Sequence, residues 1–191
     1  MARVWRTSIA FLMAIWGASA CAPSCKAQAG SPGEYQLKAA FLLNFAKFID
    51  WPATSFASPQ ADFSICILGN DPFGRSMDDL LQGKMIADRP VSVQRRHQVA
   101  EVRHCQMVFV SSSERLRVRE ILDGLKGTTA LVIGETEGFA GAGGAIQFAI
   151  QDNRVRFLIN TDAADRAGLK VSSKLLSLAR VVHDGNKNDR S

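Results

Sequence analysis

Between residues 63 and 134, short apolar runs alternate with stretches of helical spacing, and this alternation narrows the fold more than any other feature. Residues 63–68 read FSICIL and end in Gly69-Asn70-Asp71-Pro72, a turn. A helix is expected over 73–81 and a strand over 91–95. Residues 107–110 form the next apolar run, leading through Ser111-Ser112-Ser113 into a helix over 114–125, and a further strand is expected over 130–133. Such a series predicts an α/β fold with a mainly parallel central sheet flanked by helices. With right-handed crossovers, the expected spatial order of its strands is second, first, third, fourth.

Both ends of this core follow different rules. Residues 34–49 predict a helix apolar over most of its girth, with Leu37, Phe41, Phe45 and Phe48 in one stripe. Lys38 and Lys47 argue against a membrane span, and Trp51-Pro52 stops the helix, because a residue before proline avoids the helical region. After Gly134 come the loop residues Glu135 to Gly144, then strands over 145–151 and 154–159 joined at Asp152-Asn153 as a hairpin. A helical corner closes the fold. Asn160 or Thr161 caps a short helix, Gly168 ends it, and Leu169 can fold back on it. Ser172 or Ser173 opens a second helix with Leu175, Leu178, Ala179 and Val182 on one face. Residues 184–191 read as a polar tail. No repeat or linker divides the chain, so 30–183 is expected to form one domain.

Residues 1–29 read as a secretory signal: Arg3 and Arg6 precede an apolar run over 9–15, and Ala27-Gln28-Ala29 offers a cleavage site. A cut before Cys21 would instead leave a lipid-anchored cysteine, but Ala18 stands where a larger aliphatic residue is usual. Losing Arg3, Arg6 and Lys26 lowers the basic count from 23 to 20 against 18 acids, and the formal charge from +5 to +2. The basic pI is thus partly a targeting feature and argues poorly for nucleic-acid binding. Cys66 and Cys105 are the two cysteines of the folded part. In an exported chain they are expected to pair, across strands that lie side by side in the order above, with two buried thiols as the alternative.

Candidate chemistry is sparse. Gly141-Ala142-Gly143-Gly144 lacks the lysine and hydroxyl of a phosphate-binding loop and precedes a strand, so a plain loop is the better reading. His97 and His104 lack the spacing and companions of a metal site. No nucleophile, base and acid stand out in a recognisable pattern, so neither an enzyme nor a cofactor or metal protein is expected. Three polar loops at strand ends would converge in an open parallel sheet, and Asn70, Ser111, Ser112 and Glu135 are the candidate small-ligand residues; ordinary helix capping is the alternative. Phe157 and Leu158 point to opposite faces, so one of them meets another element or another protein.

Two blocks resemble a known family. Residues 160–179, NTDAADRAGLKVSSKLLSLA, are similar to the C-terminal pattern of YfiR-like periplasmic proteins, and Glu34 to Phe48 with Trp51-Pro52 is similar to their N-terminal block. The resemblance implies a disulfide at Cys66 and Cys105, and no second bridge, since a further cysteine pair found in some members is missing. It also implies a periplasmic repressor that binds the sensor region of an inner-membrane diguanylate cyclase, lowering cyclic di-GMP and biofilm formation. Monomer and homodimer are both compatible with it. Phe148, Leu158, Asn160, Ala164, Leu169 and Val171, on the hairpin and corner, are the expected contact surface; a covering N-terminal helix is the competing use for them. A small-ligand-binding protein without a cyclase partner is the alternative function.

Overall fold

Strands that are apolar on both faces need cover on both, and this chain supplies it unequally. The computed structural model describes residues 31–184; the expected signal segment, residues 1–29, and Cys21 lie outside them. Its elements run α1 (Pro32–Lys47), β1 (Ile49–Asp50), β2 (Phe63–Leu68), α2 (Arg75–Leu81), β3 (Met85–Ile86), β4 (Arg89–Arg96) and β5 (Met107–Val110). Then follow α3 (Val118–Gly124), β6 (Leu131–Gly134), β7 (Ile146–Gln151), β8 (Arg154–Asn160), α4 (Thr161–Arg166), β9 (Lys170–Val171), α5 (Ser173–Leu176) and β10 (Arg180–Val182). Among the described residues one eight-stranded sheet runs β10-β8-β7-β6-β5-β2-β4-β3. Strands β4, β2, β5 and β6 stand in the expected order and pair in parallel. β7 joins β6 in parallel, and β8 returns antiparallel to β7.

Side-chain alternation splits the interior in two. Phe63, Ile65 and Ile67 of β2, with Met107 and Phe109 of β5, belong to the larger core under α1 and α2. Cys66, Leu68, Val108 and Val110 belong to a smaller core under α3, with Ile121, Leu122 and Phe139. Cys66 and Cys105 are bonded within this smaller core, as counting and resemblance both led one to expect.

α1 begins with Ser31 accepting from the Glu34 N–H and Pro32 at its first turn. It ends at Lys47, two residues early, because Ile49 and Asp50 leave to pair with Val171 and Lys170. Its Phe41 and Phe45 rings lie 4.9–6.2 Å from those of Phe148 and Phe157, so the helix roofs the hairpin. The helix expected over 114–125 is shorter: a 3-10 turn at Ser112–Glu114 precedes α3.

The second corner helix is a correction. α5 is only four residues long, and the N–H groups of Leu178 and Ala179 bond three residues back, tightening the last turn. The chain then extends as β10 beside residues 158–160 of β8. Val182 is buried from this edge strand, whereas Leu178, expected on the buried face, is 71 % exposed. Asp184, expected in a loose tail, accepts from Asn160 Nδ2 at 2.7 Å and pairs with Arg166; residues 185–191 lie outside the described part.

Candidate functional site

The three strand-end loops do meet, and they satisfy one another. The Asn70 N–H donates to Ser113 Oγ at 3.0 Å, and the Ser112 N–H donates to Glu135 Oε1 at 3.0 Å. Ser111 is buried and caps the Ser112–Glu114 turn. A Cβ on Gly69 would stand 2.5 Å from Ser113 Oγ, so the crevice where the sheet order reverses is closed by its own side chains. Of the expected ligand residues, Ser112 and Glu135 line a substantial cleft with other charged groups around it.

That cleft, about 470 Å³, lies between the start of α1, the loop after β6 and the hairpin; its lining includes Glu34, Tyr35, Lys38, Ser112, Glu135 and Phe148. Lys38 Nζ stands 2.6 Å from both Glu34 Oε1 and Glu135 Oε2, with the Lys38 and Glu135 side chains 4 % and 6 % exposed. Its ammonium also lies 4.5 Å from the Tyr35 ring centroid. Tyr35 Oη donates to Glu135 Oε1 at 3.3 Å. Sequence reading missed this group because it took Lys38 only as evidence against a membrane span. The available signal was Glu34 four residues before a lysine on an otherwise apolar helix.

Burial, and then the Glu135 charge beside it, hold the Tyr35 phenol far above its ordinary range. A pKa raised on folding gives stability that is complete below the unfolded value, about 10, and is lost as pH climbs past it. Tyr35 is the only tyrosine in the chain. Its ultraviolet ionisation signal should therefore stay silent on alkaline titration until the protein unfolds; a smooth transition near pH 10 in folded protein would refute this burial.

The expected partner surface needs correction in its physical basis. Phe148, Asn160, Ala164 and Leu169 are all buried, while Leu158 and Val171 are half-buried. α1 covers Phe148. Leu169 is held by the corner's own geometry: its N–H bonds Ala164 O and the Gly168 N–H bonds Asp165 O, with Gly168 at φ 71°, which draws the leucine inward. Asn160 is a structural hub. Its Oδ1 accepts from the Ala163 N–H, and its Nδ2 donates to Ala140 O and Asp184 Oδ1.

The glycine-rich loop serves packing. Phe139 sits between Gly134 and Gly144: a Cβ on Gly134 would lie 2.5 Å from the ring, and one on Gly144 would collide with it. Gln147 Oε1 accepts from the Ala140 N–H and fixes the loop further. Gly144→Ala should destabilise the fold by about 1–3 kcal/mol through overpacking, read from urea unfolding. An unchanged midpoint would show that the loop yields.

Among the described residues, no group of three or more His, Cys, Asp and Glu is placed to hold a metal ion, and no helix is long and apolar enough to cross a membrane. A family model described as YfiR/HmsC-like matches residues 35–180. Among solved structures, a conserved domain protein from Vibrio cholerae is similar at 10% identity and a TM-score of 0.51, over 77% of this chain and 59% of that one. An ABC domain from Streptococcus pneumoniae, solved in complex with L-Trp, is similar at 9% identity and 0.51, over 78% and 60%. These likenesses concern the fold, and the chain spans about three fifths of the length of each.

Proposed function

The chain belongs to the YfiR/HmsC-like family, and on that premise we propose that it is an exported regulator that represses an inner-membrane diguanylate cyclase. It binds the cyclase's periplasmic sensor region and keeps cytoplasmic cyclic di-GMP, and with it biofilm formation, low. The family match across most of the folded part carries this reading. The use of the polar clusters supports it: Asn160, Gln106 and the Glu34–Lys38–Glu135 group hold elements together. Repression is then a population shift, driven by tighter binding to the inactive than to the active cyclase.

Cross-linking the exported protein in cells and identifying what it captures from membranes tests the partner. Deleting the gene should raise cyclic di-GMP, and restoring the chain should lower it again. Capture of no cyclase, with cyclic di-GMP unmoved, would overturn the proposal. A second reading, a small-ligand-binding protein without a cyclase partner, has one favourable observation, the cleft beside Lys38 and Glu135. Its signature would be a ligand that quenches Tyr35 or shifts the melting temperature while gene deletion leaves cyclic di-GMP untouched.

A further inference from the structure

The end of the hairpin nearest its turn lies beside the first turns of α1. Phe148 and Phe157 lie under Phe41 and Phe45, and the strands continue toward Asp152 and Asn153, where Ile150 and Asn153 share a cleft with Ser31, Gly33 and Glu34. At that end Leu37 is 45 % exposed and Ile150 52 % exposed, and both line this cleft of about 450 Å³ with Val155, Arg154 and Arg156. Large exposed apolar side chains gathered in one concavity mark an interaction surface more strongly than the same residues scattered. Leu116, at the opposite extreme, is exposed alone on the turn before α3.

Charge says what the cleft accepts. The Arg154 and Arg156 side chains are exposed and bear neither a hydrogen bond nor an ion pair within the described part, unlike those of Arg95, Arg117 and Arg166, which all hold carboxylates. Glu34, which lines the same cleft, is already committed to Lys38. Arg154 and Arg156 leave β8 on the face opposite Val155, so they flank the rim of this apolar seat, and two guanidinium groups at such a rim suit a protein segment with one or two apolar side chains flanked by carboxylates. A membrane surface would want protruding apolar residues and a broader basic face, and the apolar residues here line a hollow.

We propose that the cleft of Leu37, Ile150, Val155, Arg154 and Arg156, between the hairpin end and the start of α1, is the docking site for an acidic, apolar-anchored segment of the partner protein. This rests on the repressor reading above and replaces the hairpin-and-corner surface suggested by the sequence. Arginine favours such a role because its planar fork meets a carboxylate with two parallel hydrogen bonds.

The test measures binding of the purified mature protein to the periplasmic region of the captured cyclase, by calorimetry at two salt concentrations. Ile150→Glu and the pair R154E/R156E should each weaken binding at least tenfold, and the arginine reversal should also flatten the salt dependence. Leu116→Glu, outside the cleft lining, is the control, and melting curves verify that all variants are folded; the mutated side chains are exposed, so they should be. Binding by both cleft variants equal to the control would overturn the docking site while leaving the repressor reading intact. Wild-type protein that binds no cyclase region would overturn that reading and this inference together. Cleft variants that change only the protein's own oligomeric state, seen by light scattering, would assign the cleft to a second copy and equally overturn the proposal.

Discussion

Lys38→Met should destabilise the protein by about 3–5 kcal/mol, because it strands the Glu135 carboxylate, whose side chain is only 6 % exposed, without its cation. The lysine neutralises two carboxylates at 2.6 Å, one of them on its own helix and one on the loop after β6. Methionine fills a similar volume, so little of the loss would come from an empty cavity. The cost is that of an unpaired buried charge. Glu135 would keep its hydrogen bonds from Ser112 N–H and Tyr35 Oη, which soften the penalty without removing it. The double variant Lys38→Met/Glu135→Gln separates the two effects. Glutamine keeps the Oε1 acceptor for Ser112 and carries no charge, so the double variant should be more stable than Lys38→Met alone. Their coupling should reach about 2 kcal/mol. Urea unfolding of the four proteins reads this directly. A single-variant loss under about 1 kcal/mol would mean that water reaches the cluster and the ion pair behaves as a surface one.

The same cluster shows where sequence reading stops. The order of β4, β2, β5 and β6 was legible because apolar runs alternating with helical spacing leave few topologies once crossovers must be right-handed. The hairpin was legible too: Asp152 and Asn153 adopt φ of 50° and 56°, conformations those residue types tolerate. Contacts between distant segments were not. That α1 roofs Phe148 and Phe157 depends on which strand face the helix crosses, and the apolar stripe of residues 34–49 fits any face. Lys38 was misread for the same reason, since its partner Glu135 lies 97 residues away.

Shorter elements failed differently. A three-residue strand such as β10 has no period to detect, and its pairing with residues 158–160 exists only because β8 offers a free edge there. Leu169 carried its own warning. A leucine just after the glycine that ends a helix regularly packs back onto that helix, so the rule that placed Gly168 already implied a buried Leu169. The signature residues 160–169 are therefore explained in large part by folding: Asn160 caps and staples, Ala163 and Ala164 pack closely, and Gly168 turns the chain. The docking surface proposed above is therefore placed among exposed residues, at the end of the hairpin beside the start of α1.

Losing the Cys66–Cys105 bond is the other large effect, worth about 4 kcal/mol on the chain-entropy model for a loop of 39 residues. For a domain of this size that corresponds to a fall of roughly 8–16 °C in melting temperature. The loop it closes contains α2, β3 and β4, so the bond ties β2 to the approach to β5 across the point where the sheet reverses its order. Neighbouring strands separated by this much chain bring a large closure entropy, and the bond removes it from the unfolded state. Both sulfurs lie inside the smaller core, so alanine at both positions is the cleaner substitution; serine would add two hydroxyls to a region walled by Leu68, Val102 and Val108. Cys66→Ala/Cys105→Ala should therefore retain the native fold with a markedly lower melting point, and reductant should lower the wild type toward that value without affecting the variant. Should the wild type melt at one temperature with and without reductant, the bond would contribute nothing, and the stability of the β2–β5 junction would have to come from packing alone.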